Sequence, residues 1–185
     1  MDEAKYSKQF VDLFSRHFDL FPQVHMRHPV AGSDIIIDFV GFCKEHRILG
    51  PIGFEIKDPA RWSGDGHFTA FTSALAQCMD YQDRLINSQL KTTPHLDYFG
   101  SRLRYTFLFP VEAGWAYNGA HDHSVPALRA SGALRLAGKF GVGAACENHI
   151  DWALTLGCQP AFYLYKGPTD LFHKHAVNTR TGSAK

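Results

Sequence analysis

The sequence predicts an α/β domain with a mixed central β-sheet flanked by helices. Three observations carry that expectation. Some segments repeat apolar residues every three or four positions, others are dense in β-branched and aromatic residues, and the two kinds interleave with no linker, repeat or low-complexity tract between them. A chain of 185 residues that is 45% hydrophobic and 14% aromatic can bury one substantial core. Residues 1–185 therefore read as a single domain, with a core at about 3–112, a helix and strands across 124–167 that complete it, and a frayed polar tail at 176–185.

The elements follow in order. From Glu3 to Phe21, Tyr6, Phe10, Leu13, Phe14, Phe18 and Phe21 keep helical spacing until Pro22 interrupts it, which predicts an amphipathic helix. A polar, His-rich connector follows. "SDIIIDFVGF" and "PIGFEIK" then read as two neighbouring strands joined through the turn-like "CKEHRILG". "DPARWSGDGH" is rich in breakers, and Phe68 to Leu90 shows Phe68, Phe71, Leu75, Cys78 and Leu85 on one face of a long second helix. "RYTFLFPV" predicts a third strand. "SVPALRASGALRLAGK" predicts a helix capped by Ser124 with Pro126 in its first turn, and "DWALTLG" and "AFYLYK" predict late strands.

Composition limits the function classes. With 19 Lys and Arg against 18 Asp and Glu, the charge of +1 does not advertise a polyanion partner, so contact with nucleic acid has to come from a local patch. No apolar run approaches the length of a membrane span, and the start "MDEAKYSKQF" lacks the features of a signal peptide, so a cytoplasmic protein without membrane contact is expected. Cys43, Cys78, Cys146 and Cys158 are scattered without a CxxC pair, which predicts reduced, buried thiols.

The chemistry concentrates in "GFEIK", Gly53 to Lys57. Strand alternation puts Glu55 and Lys57 on one face, with Phe54 and Ile56 on the other. Taken alone, the charged pair is equally well a solvated ion pair at a strand end. Asp38, embedded in "IIIDFVGF", is the carboxylate placed to meet it from the neighbouring strand. Two converging carboxylates form a hard oxygen site suited to Mg²⁺ or Mn²⁺, and an adjacent ammonium can hold a water or neutralise charge on a phosphorane. Asp34 is the competitor, four residues earlier and on the same face of a regular strand.

Asp38 followed by Glu55-Ile56-Lys57 resembles the signature of the PD-(D/E)xK nuclease superfamily, with Ile37 where the signature has proline. "QCMDY", Gln77 to Tyr81, is similar to the QxxxY motif of its RecB-like branch, and the i, i+4 spacing puts both side chains on one helix face. The resemblance covers about residues 3–90. It implies a restriction-endonuclease-like core of αβββαβ type and a Mg²⁺-dependent (or Mn²⁺-dependent) deoxyribonuclease. Asp38, Glu55 and the Ile56 carbonyl would bind metal, Lys57 would position the attacking water, and Gln77 with Tyr81 would orient Lys57 and the phosphate. DNA would be the partner, and hydrolysis would leave a 5′-phosphate and a 3′-hydroxyl. A compact chain of this kind suits repair, recombination or restriction in a phage or mobile element.

Other residues are candidates at the margin. Arg61 and Trp62 are positioned in sequence to meet nucleic acid, the tryptophan by stacking, and Arg84, Lys91, Arg102 and Arg104 can line a phosphate-tracking groove. His28 can add a metal ligand. The rival expectation is a catalytically inactive protein that keeps the nuclease fold to bind a protein or nucleic acid; a second copy of the chain as partner also stays open.

Overall fold

The computed structural model describes residues 3–46, 49–62, 67–86, 102–116, 124–147 and 151–170. The tail at 176–185, and residues 87–90 of the expected second helix, lie outside the described residues. The fold is mixed α/β. Its elements are α1 (Glu3–Phe14), β1 (Phe18–Arg27), β2 (Asp34–Cys43), β3 (Pro51–Ile56), a 3₁₀ turn (Pro59–Trp62), α2 (His67–Gln82), β4 (Leu85–Ile86), β5 (Tyr105–Phe109), α3 (Ala113–Ala116), α4 (Val125–Gly138), β6 (Val142–Glu147), β7 (Trp152–Leu156), β8 (Gln159–Tyr163) and β9 (Gly167–Pro168).

Among the described residues the strands form one sheet in the order β4-β1-β2-β3-β5-β6-β7-β8-β9. β1, β2 and β3 pair antiparallel, β3, β5 and β6 pair parallel, and β6 to β9 return to antiparallel pairing. The parallel centre explains the crossover helices: α2 lies between β3 and β5 in the chain, and α3 and α4 between β5 and β6.

One face of the sheet is covered by α1. Phe10 and Phe14 stack at 4.7 Å and pack with Phe39, Phe54, Phe107, Phe109 and Trp152 in a fully apolar cluster. The other face is covered by α2, α3 and α4, where Phe71, Leu75 and Cys78 of α2 meet Ala127, Ala130, Leu134 and Ala137 of α4 over Leu108 and Ala144. A third cluster, with Val24, Met26, Ile37, Val40 and Phe42 around Tyr81, lies under the C-terminal half of α2.

Three local expectations are corrected. The first helix ends at Phe14 rather than Phe21, and the residues read as its last turns and a connector form β1. Phe18 and Phe21 satisfy helical spacing by coincidence; pairing with β2 over nearly the whole length of β1 decides the matter. The second helix ends at Gln82 rather than Leu90, because Leu85 and Ile86 pair with Arg27 and Met26 at the sheet edge. The third correction is β6, for which no strand was expected. Its "VGAAC" core lacks bulky β-formers because space is short on both sides: Val142, Ala144 and Cys146 pack in the cluster with α4, while a Cβ on Gly143 would stand 1.9 Å from the Thr155 carbonyl oxygen of β7.

The expected cap of α4 is present: the Ser124 hydroxyl accepts from Ala127 N at 3.3 Å, and Pro126 occupies the first turn. All four cysteines are free and buried. Among the described residues, no helix is long and apolar enough to cross a membrane.

Because α1 is held chiefly by two phenylalanines in a closed aromatic cluster, Phe10→Ala is expected to cost about 3–5 kcal/mol of folding stability. Val11→Ala, at an exposed neighbour, should stay within about 0.5 kcal/mol. Urea denaturation of the two variants reads the difference.

Candidate functional site

The site forms where the ladders around Asp38 stop. β1 and β2 pair on either side of Gln23 and Asp38, through Pro22–Phe39 and Val24–Ile37. Pairing of β2 with β3 ends at Phe39–Phe54, one step short of Asp38 and Glu55. The in-and-out alternation of β2 also changes phase at Asp38. Ile37 and Val40 share the cluster beneath α2, whereas Phe39 packs under α1. Asp34 therefore does not share Asp38's face as a regular strand would require. It lies exposed at the far end of β2, opposite Arg27.

At this interruption the Asp38 carboxylate supplies what the ladder lacks. Its Oδ2 accepts from the backbone N–H of Ile56 at 2.8 Å, and its Oδ1 accepts from Gln23 Nε2 at 3.2 Å. Gln23 was hidden in what reads by sequence as a polar connector. Only the pairing of β1 with β2 brings it to Asp38.

Glu55 lies on the α2 side of β3 and is 2% exposed, so the solvated ion-pair alternative does not hold. Its Oε1 pairs with Lys57 Nζ, and its Oε2 accepts from the Tyr81 hydroxyl at 2.9 Å. Lys57 itself is 17% exposed, just beyond the end of β3, where its backbone N–H donates to the Phe109 carbonyl of β5 at 2.9 Å. One turn apart on α2, Gln77 Nε2 donates to the Tyr81 hydroxyl at 2.6 Å. The phenolic proton also lies within reach of the Ile36 carbonyl at 3.2 Å, so Tyr81 ties α2 to both β2 and β3.

Electrostatics follow from this crowding. Burial raises the Glu55 pKa first and the charge of Asp38 raises it further, while Lys57 and the Tyr81 hydrogen bond pull it back. Burial, and then the negative charge of Glu55, hold the Tyr81 phenol far above its usual range, so it acts as a hydrogen-bond donor. Cys78, wholly buried behind the pair, has its thiol pushed well up by burial, with the Glu55 charge second.

The donor set fits a divalent cation. Two carboxylates that repel one another, beside the Ile56 main chain, offer hard oxygens. Each carboxylate oxygen engages one protein donor and retains a second lone pair. A cavity of about 230 Å³ opens beside the site, lined by Lys57, Arg61, Ala70, Ser73, Ala74 and Gln77.

The marginal candidates divide. Arg61 lines that cavity and also pairs with Glu3 of α1 at 3.2 Å. The side chain of Trp62 and all of Lys91 lie outside the described residues. Arg84 is corrected: it is 7% exposed and clamps the end of α2, bonding Asp80 at 2.8 Å and the Ser33 carbonyl at 2.8 Å, so it is not available to a groove. Arg102 is exposed and Arg104 half-buried. His28 Nδ1 accepts from Val30 N at 3.2 Å and Ala31 N at 2.9 Å, which makes it the organiser of its own turn.

No family model, curated protein or solved structure matches this chain.

The raised pKa of Glu55 makes stability depend on pH. Between the ordinary glutamate value near 4.5 and the raised folded value, the folded state binds more protons than the unfolded one, so this contribution to stability falls as pH rises. Gln at the position carries no such proton. The unfolding free energy of the wild type minus that of Glu55→Gln should thus decrease as pH rises above the ordinary glutamate value near 4.5 in urea titrations. A flat or rising difference would contradict the raised value.

Proposed function

We propose that the chain is a metal-dependent nuclease that hydrolyses DNA phosphodiester bonds by PD-(D/E)xK chemistry on a restriction-endonuclease-like core. The observation that carries this reading is the convergence of two groups: Lys57, Glu55, Tyr81 and Gln77 form one hydrogen-bonded chain, and Asp38, bonded to the Ile56 N–H between Glu55 and Lys57, lies near enough for its charge to act on Glu55. The element order is a second support. A helix, three antiparallel strands, a helix and a strand parallel to the third correspond to the αβββαβ arrangement expected of that core.

Asp38, Glu55 and the Ile56 carbonyl are the groups that would hold Mg²⁺ or Mn²⁺. When bound, such an ion supplies Lewis acidity toward a phosphate oxygen and a water of lowered pKa. The chain's own groups account for the remainder. Lys57 stands at the mouth of the cavity, where its ammonium can donate to the attacking water and offset charge building on the phosphorus oxygens. Tyr81 holds one oxygen of the Glu55 carboxylate while Lys57 holds the other, and Gln77 keeps Tyr81 from rotating away. Arg61, across the cavity from α2, adds a second cation for the phosphate backbone.

One observation favours the alternative of a non-catalytic binding protein on the same fold: every oxygen of Asp38 and Glu55 already has a protein donor, so the network is self-satisfied. One experiment separates the two readings. Linear, circular and single-stranded DNA are incubated with Mg²⁺ or Mn²⁺, and wild type is compared with Lys57→Ala and Glu55→Ala. The nuclease reading expects metal-dependent cleavage that falls at least about 100-fold in each variant. Absence of cleavage by the wild type, or equal cleavage by both variants, rejects it.

A further inference from the structure

We infer that Gln23 is a positioning residue for Asp38, holding its carboxylate toward β3 and so setting the affinity of the Asp38–Glu55 pair for a divalent cation. The inference rests on the reading that this pair holds such an ion. It goes beyond that reading by assigning a role to a residue of β1 that belongs to neither recognisable motif.

Two independent features of the backbone and one of the side chain point to Gln23. Its φ is +50°, a left-handed conformation that a side chain with a Cβ adopts at a cost, and it does so inside a strand. Such strain persists only where the surroundings over-determine it. The second feature is that the phase change is shared. On β1, Phe18 packs under α1 whereas Val24 and Met26 pack beneath α2, and on β2 the same switch falls between Phe39 and Ile37. The two strands therefore change phase together at the facing positions Gln23 and Asp38, without losing register on either side.

The side chain then explains what the irregularity achieves. In a regular ladder Asp38 would stand off one face of the sheet. Here its carboxylate reaches the Ile56 N–H, which the end of the β2–β3 ladder leaves without a strand partner. One bond to Oδ2 leaves the carboxylate free to swing about it. The Gln23 amide at Oδ1 supplies the second point that fixes its plane. A carboxylate held at both oxygens presents its remaining lone pairs in one direction, which favours the strict geometry of a small divalent ion.

The test uses the full-length protein and Mn²⁺ alone, titrated calorimetrically without DNA, together with thermal unfolding of the metal-free protein. Gln23→Met keeps the length and the backbone constraint but removes the donor. Its Mn²⁺ dissociation constant should rise at least about 10-fold with little change in Tm. Gln23→Gly removes the donor and relieves the strain. It should lose affinity to a similar degree while its Tm rises by about 3 °C. Lost affinity at an unchanged Tm in Gln23→Met is the result that isolates the amide donor from the backbone. Unchanged Mn²⁺ affinity in both variants overturns the inference while the metal reading stands, and a lower Tm in Gln23→Gly overturns the strain argument. A wild type that binds no Mn²⁺ overturns the metal reading and this inference together.

Discussion

A carboxylate taken out of water must be answered by donors, and Glu55 is that carboxylate here. Lys57 answers one oxygen and Tyr81 the other. Each answer recruits a different part of the fold. Lys57 is fixed by the hydrogen bond of its own backbone to β5, and Tyr81 by its place in α2 and by Gln77 one turn earlier. The opposite face of β3 is held by aromatic packing from α1 and the start of β1, with Phe54 against Phe10 and Phe14 of the helix and Phe18 of the strand. The strand that carries the charge is thus clamped between an apolar layer below and a polar network above. Neither layer alone would keep the carboxylate buried.

Asp38 adds tension to that arrangement. Burial raises the Glu55 pKa first and the Asp38 charge raises it further, and Lys57 and Tyr81 offset only part of that rise. A protein selected only for stability gains little from such a pair, since apolar residues of similar size commonly serve as well. Its presence in the centre of the sheet, with a donor to each oxygen and a cavity alongside, is the physical reason for reading these residues as a site.

Much of this was legible in the sequence, and the parts that were not share a cause. Alternation in "GFEIK" correctly separates Phe54 and Ile56 from Glu55, and i, i+4 spacing brings Gln77 to Tyr81, because both rules are local. The cap of α4 at Ser124 is local too. The errors arise where tertiary pairing overrides a local pattern. Phe18 and Phe21 fit a helix until β2 claims them, and Leu85 fits the face of α2 until β1 claims it. The small residues of β6 carry little strand signal because their size is dictated by distant neighbours, α4 for some and Thr155 and Phe107 for Gly143. Gln23 was out of reach for the same reason: its importance comes from facing Asp38 across two strands, and nothing within its own neighbourhood of sequence says so.

The mixed pairing of the sheet divides the molecule into two territories. Everything gathered around Glu55 comes from β1 to β3 and α2. The antiparallel extension from β6 to β9 contributes hydrophobic mass through residues such as Trp152, Leu154 and Phe162. That extension joins the other half through the parallel β3–β5–β6 steps and through aromatic packing, with Phe162 of β8 against Phe18 of β1 and Trp152 of β7 against Phe109 of β5. Trimming the far wing would therefore strip apolar support from β1 and β5 as well as from the sheet edge, so the half without chemistry still sets how firmly the other half is held.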